Sequence, residues 1–235
     1  MVQARTGNSP FPGPSPHPPV MIVTIDGPAG AGKSSAAKAL AKRLGFHFLD
    51  TGAMYRAVVH AALERGVDLD DAEALEQVAA SLDIQLTDDA VLVDGQDVTR
   101  VIRTQDITTA TRYAADHPGI RARLVELQRA AAEGQNFVTE GRDQGSIVFP
   151  HAECKIFLTA SERVRAERRY HDLTARGEQL TFEEVLEKQQ QRDQRDASRP
   201  VGALIKARDA VVLDTDGMSA EEVVDRLHEI VMQHQ

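Results

Sequence analysis

Hydrophobic positions along this chain alternate between two patterns. Short apolar runs occur at Met21–Ile25, Phe46–Leu49, Phe137–Thr139, Lys155–Leu158 and Ala210–Leu213. The last four are rich in branched or aromatic residues and lack clean alternation, as expected of strands covered on both faces. Between the runs, apolar residues recur at helical spacing over Ser35–Leu44, Ala53–Glu64, Ala72–Ser81 and Arg121–Ala132. The final helix is the best marked. Ser219 followed three residues on by Glu222 makes a capping box, and Val223, Val224, Leu227, Ile230 and Val231 form an apolar stripe behind it. Thr181 and Glu184 repeat the capping pattern. Alternating strand and helix predicts an α/β fold, a five-stranded parallel sheet flanked by helices, with ligands beyond the strands' carboxyl ends.

Two excursions interrupt this rhythm. The gap between the second and third strands is too long for one crossover helix. It holds three of the helical stretches and a hairpin-like piece, Ala90–Val98, with Asp94-Gly95 at its turn. We expect an inserted subdomain over about 51–133, roofing one side of a cleft. The second excursion, from Ser161 to about Ala207, separates strands four and five. Ahead of the fold, residues 1–19 are rich in Pro, Gly and Ser and lack an apolar signal core. They read as a disordered leader, leaving 20–235 as a single domain.

With 235 residues, 42% of them hydrophobic, the chain can bury a proper core. No stretch approaches the ~18 apolar residues of a membrane span. The single cysteine, Cys154, excludes an intramolecular disulfide framework and suits a reducing cytoplasm; at the start of a strand it reads as a buried, inert thiol. The net charge of −9 opposes binding of DNA or RNA. Yet residues 155–208 carry twelve Lys or Arg against nine Asp or Glu, among them Arg163, Arg165, Arg168, Arg169, Arg192, Arg195 and Arg199. Many such residues lie on solvated helix faces in i,i+4 pairs. Arginine is also the side chain that grips phosphate bidentately, so the cluster predicts a small polyanionic ligand. The eight histidines are scattered without paired metal spacing.

The sharpest motif is Gly27-Pro28-Ala29-Gly30-Ala31-Gly32-Lys33-Ser34, which fits Gly-x-x-x-x-Gly-Lys-Ser/Thr between the first strand and the first helix. The glycines let backbone N–H groups close around an anion, and the helix start adds unpaired amides and the positive end of a dipole. Lys33 can reach outer phosphates, and the Ser34 hydroxyl can hold Mg²⁺. With Ser35 this makes a nucleoside triphosphate site. An Asn-Lys-x-Asp guanine-reading motif is absent from the sequence, which argues against a nucleotide switch.

Strand two runs into Leu49-Asp50-Thr51-Gly52-Ala53-Met54-Tyr55-Arg56, placing Arg56 a turn into the next helix. Here the chain resembles the nucleoside monophosphate kinases, and among them the bacterial cytidylate kinases. The resemblance continues through Ile102-Arg103-Thr104-Gln105, Gly141-Arg142-Asp143 with Val148-Phe149-Pro150, Lys155–Leu158 leading into Arg165–Arg169, and Arg192-Asp193-Gln194-Arg195-Asp196-Ala197-Ser198-Arg199. It runs collinearly from about Ile22 to Val231, and the hairpin insertion is itself a mark of the subfamily. The resemblance implies a monomeric cytoplasmic enzyme of pyrimidine metabolism. It would pass the ATP γ-phosphoryl group to CMP and dCMP with Mg²⁺ and engage neither nucleic acid nor membrane.

Position by position, the resemblance puts Lys33 on the outer phosphates and makes Arg142 and Arg199 catalytic. With Arg56 these two hold the acceptor phosphate. Thr51, Arg121 and Asp143 read the cytosine edge, and Arg192 and Asp196 lie near the ribose. Arg165 and Arg169 belong to a lid, about 161–176, closing over ATP. Tyr55 joins the acceptor side or packs in the core. Asp50 caps a helix or borders Mg²⁺, and Arg103 orients the insert or touches ligand. Two departures stand out: Arg112 where a small hydroxyl residue is expected at the acceptor sugar, and Ala203-Leu204 where the family has Pro-Leu. A kinase acting on adenylate, uridylate or shikimate is the nearest alternative.

Overall fold

A computed structural model describes residues 20–87, 89–175 and 177–234. The expected leader and the end of the expected lid at residue 176 lie outside them. In chain order the elements are β1 (Ile22–Asp26), α1 (Lys33–Leu44), β2 (His47–Asp50), α2 (Thr51–Glu64), α3 (Ala72–Ser81), β3 (Ile84–Leu86), β4 (Val91–Val93) and β5 (Gln96–Asp97). Then follow α4 (Gln105–Ala115), α5 (Pro118–Ala131), β6 (Phe137–Gly141), β7 (Cys154–Thr159), α6 (Glu162–Ala175), α7 (Phe182–Ser198), β8 (Val211–Asp214) and α8 (Ala220–Met232). A 3₁₀ turn spans Val101–Arg103 and a π-helical turn Gln144–Val148.

The main sheet has the order β2-β6-β1-β7-β8 and every pairing in it is parallel. All five expected strands are present, each displaced by one or two residues at an end. β1 lies at the centre with apolar residues on both faces, which is why its sequence does not alternate. Val23, Ile25, Leu40, Val138, Ile156, Leu158, Leu227 and Val231 form the core between sheet, α1 and α8. Burying each large side chain of this kind contributes about 1.5–3 kcal/mol. Both expected capping boxes form, Ser219 with Glu222 and Thr181 with Glu184. Of the stripe on α8, Val223, Leu227, Ile230 and Val231 are buried and Val224 is half-buried.

The insert has its own core, built from Met54, Val58, Leu75, Ile102, Ile120 and Leu124. Its hairpin turns at Asp94 (φ 50°) and Gly95 (φ 80°), the two left-handed residues that a tight antiparallel turn needs. Three features were not expected. The hairpin is extended by β3 into a three-stranded antiparallel sheet, α4 is a full helix, and the chain past β6 forms the π-helical turn. α4 escaped notice because its sequence, QDITTATRYAA, is rich in Thr and polar residues with weak intrinsic helix preference; packing against α2 and α5 overrides it.

Candidate active site

β1 delivers the chain into the phosphate loop. A Cβ on Gly27 would lie 1.9 Å from the Leu158 carbonyl oxygen of β7, so only glycine lets the loop cross there. Gly30 and Gly32 are left-handed at φ 77° and 86°. α1 begins at Lys33 with no side-chain cap and no acidic residue in its first turn, leaving its first amides for an anion. Lys33 is 5% exposed and donates from Nζ to the Pro28 carbonyl at 2.8 Å. Burial brings its ammonium down to about 7; the charges of Arg142 and Arg192 push the same way, while Glu140 and Asp26 oppose. Ser34 Oγ donates to Glu140 Oε1 at 2.8 Å, and Glu140 is buried at the end of β6.

The opposite wall comes from α2, α5, the end of β6 and α7. Asp50 caps α2 by accepting from the Ala53 amide at 2.9 Å. It also pairs with Arg56 at 3.1 Å and Arg103 at 2.9 Å. Asp50 is therefore a cap and an anchor for two arginines, and Arg103 ties the insert to β2. The Thr51 hydroxyl donates to the Glu140 carbonyl at 2.7 Å, which leaves it only acceptor capacity toward a ligand.

At the heart of this wall Arg121 and Asp143, each 4% exposed, form a buried ion pair. The Arg121 guanidinium lies 5.6 Å from the Tyr55 ring centroid. A Cβ on Gly202, itself left-handed at φ 71°, would fall 1.8 Å from Arg121 Nη2, so the loop after α7 closes directly over this arginine. Burial raises the Asp143 carboxyl, with Arg121 and then Arg199 opposing. Burial also pushes the Tyr55 phenol up to about 12.

Asp196, on the last turn of α7, binds two arginines at once: Arg142 Nε at 2.7 Å and Arg199 Nη2 at 2.6 Å. Burial resists its ionisation, but Arg142, Arg199 and Arg192 overcome that and hold its carboxyl below the usual range. Arg199 also reaches across to Asp116 at the end of α4. Solvent reaches Arg192, yet loss of hydration by the surrounding protein, then the charges of Arg142, Arg169 and Arg56, bring its guanidinium to about 10. A cleft whose cations repel one another this strongly is shaped for anions.

The second excursion folds as α6 and α7 packed together over the phosphate loop. Arg165, expected on ATP, bonds to the protein's own backbone and to Asp193. Its Nε donates to the Ala160 carbonyl at 2.9 Å, and its Nη1 donates to the Ala29 carbonyl at 2.9 Å and to Asp193 at 2.6 Å. It buttresses the loop from behind. Arg169 reaches α4, donating to Gln105 Oε1 at 3.0 Å, so α6 meets the insert. Arg112 is exposed and turns onto its neighbour, donating to the Tyr113 hydroxyl at 3.0 Å. Cys154 is buried, its thiol pushed up to about 12 by burial.

Comparison with known proteins accords with this geometry. The family model described as cytidylate kinase matches residues 23–233. A cytidylate kinase of Rhodopirellula baltica is 51% identical over 211 residues, covering 90% of this chain and 92% of that protein. One from Caldanaerobacter subterraneus subsp. tengcongensis is 44% identical, covering 89% and 93%. One from Geobacillus sp. (strain WCH70) is 46% identical, covering 89% and 95%. The chain belongs to the cytidylate kinase family.

Within that family's frame, the fold brings Lys33, Ser34, Arg56, Arg121, Arg142, Asp143, Arg192, Asp196 and Arg199 to one cleft at the carboxyl ends of β1, β2 and β6. Two acidic residues there were missed by sequence reasoning, Glu140 and Asp26. Asp26 is 3% exposed at the end of β1, and burial raises its carboxyl to about 6, with the amides of Gly145 and Gln144 opposing. The signal was available: Asp26 ends β1 and Glu140 stands one residue before the end of β6, at the strand ends where an α/β sheet collects its ligands.

Proposed function

We propose that this cleft transfers the γ-phosphoryl group of ATP to CMP and dCMP, giving ADP and CDP or dCDP. The observation that carries the substrate reading is the buried Arg121–Asp143 pair. It lies beside Arg199, whose charge acts on the Asp143 carboxyl. A pyrimidine amino group donates, so a fixed carboxylate accepts it, and a base without that donor leaves buried polar groups unpaired. Arg121 supplies the complementary donors for the ring's acceptors, and Thr51 adds an acceptor beside them.

The acceptor phosphate needs no general base, because its second pKa is ~6 and it arrives largely dianionic. The difficulty is repulsion between two polyanions, ~4 kcal/mol per pair of unit charges at ~4 Å and an effective dielectric of ~20. Arg56, Arg142 and Arg199 offset it on the acceptor side. Lys33 and the loop amides do so on the donor side, and the attacking oxygen is held in line with the leaving one. Arg192 and Asp196 border the sugar. α6, carrying Arg169, serves as the lid that excludes water.

Ser34 and Glu140 fit Mg²⁺. They offer a hydroxyl and a carboxylate, hard oxygen donors 2.8 Å apart. Among the described residues no group of three or more His, Cys, Asp or Glu is gathered as a metal site. Mg²⁺ at a phosphate site commonly takes one or two protein oxygens and completes its shell with phosphate and water. When bound, Mg²⁺ supplies charge neutralisation on the donor phosphates.

Among the described residues no helix is long and apolar enough to cross a membrane. The same reading takes the protein as a monomer acting on cytoplasmic nucleotides. An ADP-release assay across acceptors tests the reading. CMP and dCMP should exceed AMP in kcat/KM by about 10²-fold or more, and faster turnover with AMP would refute it.

A further inference from the structure

We infer that Asp26 is a positioning residue for base recognition: its carboxylate holds the backbone on which Asp143 is mounted and thereby sets the preference for cytosine. The inference rests on the reading of Asp143 given above. Asp26 Oδ1 accepts the Gln144 amide at 2.9 Å and Oδ2 accepts the Gly145 amide at 2.8 Å. These are the first two amides of the π-helical turn that begins immediately after Asp143. Amides at a helix start have no partner within the helix, and here one carboxylate 118 residues away in sequence satisfies both.

The geometric consequence falls on Asp143. Its ψ of 21° is the angle that aims the Gln144 N–H, so fixing that N–H fixes ψ. On the other side, the Asp143 carbonyl accepts from Ile147 at 2.8 Å and Val148 at 3.1 Å. The turn is seated closely on β1, since a Cβ on Gly145 would lie 2.8 Å from Thr24 Oγ1. A carboxylate that must meet a base edge within a few tenths of an ångström gains from such pinning. Asp26 also directly precedes Gly27, so the base-reading turn and the phosphate loop share one anchor. Its charge reaches Lys33 as well, which makes a donor-side role the rival explanation.

Asp26→Asn separates them. Asn keeps the shape and one acceptor but presents an NH₂ to the second amide. In steady-state kinetics we expect the ratio of kcat/KM for CMP over UMP to fall about tenfold or more, with KM for ATP changed about twofold or less. Combined with Asp143→Asn, the loss should be less than additive, because both act through one contact. Gly145→Ala shifts the same turn from the side of β1 and should lower the ratio too, which keeps the test decisive if Asp26→Asn does not fold. An unchanged ratio in a folded Asp26→Asn, or equal losses for ATP and CMP, overturns the inference. If Asp143→Asn itself leaves the ratio unchanged, the base reading fails and takes the inference with it. If Asp143→Asn collapses the ratio and Asp26→Asn does not, only the inference fails.

Discussion

Turnover at saturating ATP and CMP falls on the order of 10³-fold when Lys33 is replaced by Ala, while the thermal midpoint at pH 7 does not drop. The two halves of this expectation have different causes. Lys33 is the one loop side chain able to meet charge developing on the transferred group, and it does so from a nearly dry position where electrostatic interactions are strong. That burial is costly to the folded protein. The ammonium sits at about 7 rather than 10.5, so between those values the unfolded chain binds more protons than the folded one. Stability therefore rises with pH across that window, and the cost of holding Lys33 charged is greatest below it. Removing the side chain lifts this cost. ATP should restore the charged form, so binding near pH 8 takes up a proton. Calorimetry in buffers of different ionisation enthalpy reads that uptake, and it should vanish in Lys33→Ala. Near-normal turnover in the variant would mean that the outer phosphates are held elsewhere.

Asp143→Asn should cut kcat/KM for CMP about 10²-fold and change KM for ATP about twofold or less. UMP should lose much less than CMP, because an Asn amide can donate to the carbonyl that uracil carries where cytosine carries an amino group. Asn is the informative choice. Both Asn and Ala remove the charge that compensates buried Arg121. Asn keeps an acceptor oxygen for the guanidinium and fills the same volume, so it costs less stability than alanine, and the thermal midpoint measured alongside separates recognition from unfolding. The Asp143 carboxyl is raised by burial, so discrimination for CMP over UMP should weaken as pH falls and the acceptor is protonated. The ratio of the two substrates cancels the titration of their common phosphate. Equal losses for ATP and CMP would move Asp143 to a structural role.

Local chemistry made much of this molecule legible in its residues. The loop from Gly27 to Ser34 states its conformation through its glycines: a Cβ on Gly27 would clash with the Leu158 carbonyl, and Gly30 and Gly32 are left-handed. The capping boxes at Thr181 and Ser219 and the turn at Asp94-Gly95 are short-range devices that work wherever they occur. Arg56 lies in the second turn of α2, as its spacing from Asp50 implies, because one helical turn from a marked start is a fixed distance. What stayed hidden depends on partners far apart in sequence. Nothing local says that Arg165 meets the Ala29 carbonyl and Asp193. Nor does anything local say that Asp26 reaches Gln144 and Gly145, or that Glu140 meets Ser34. α4 was invisible for a related reason, its helix being imposed by neighbours in the insert.

The central claim is that two nucleotides meet head to head in one cleft, and crystallography with CMP and a non-hydrolysable ATP analogue tests it most directly. The account predicts the acceptor phosphate among Arg56, Arg142 and Arg199, about 3–3.5 Å from the terminal phosphorus, with the cytosine amino group on Asp143. A CMP lodged away from Asp143, or with its phosphate turned from the triphosphate, would contradict it.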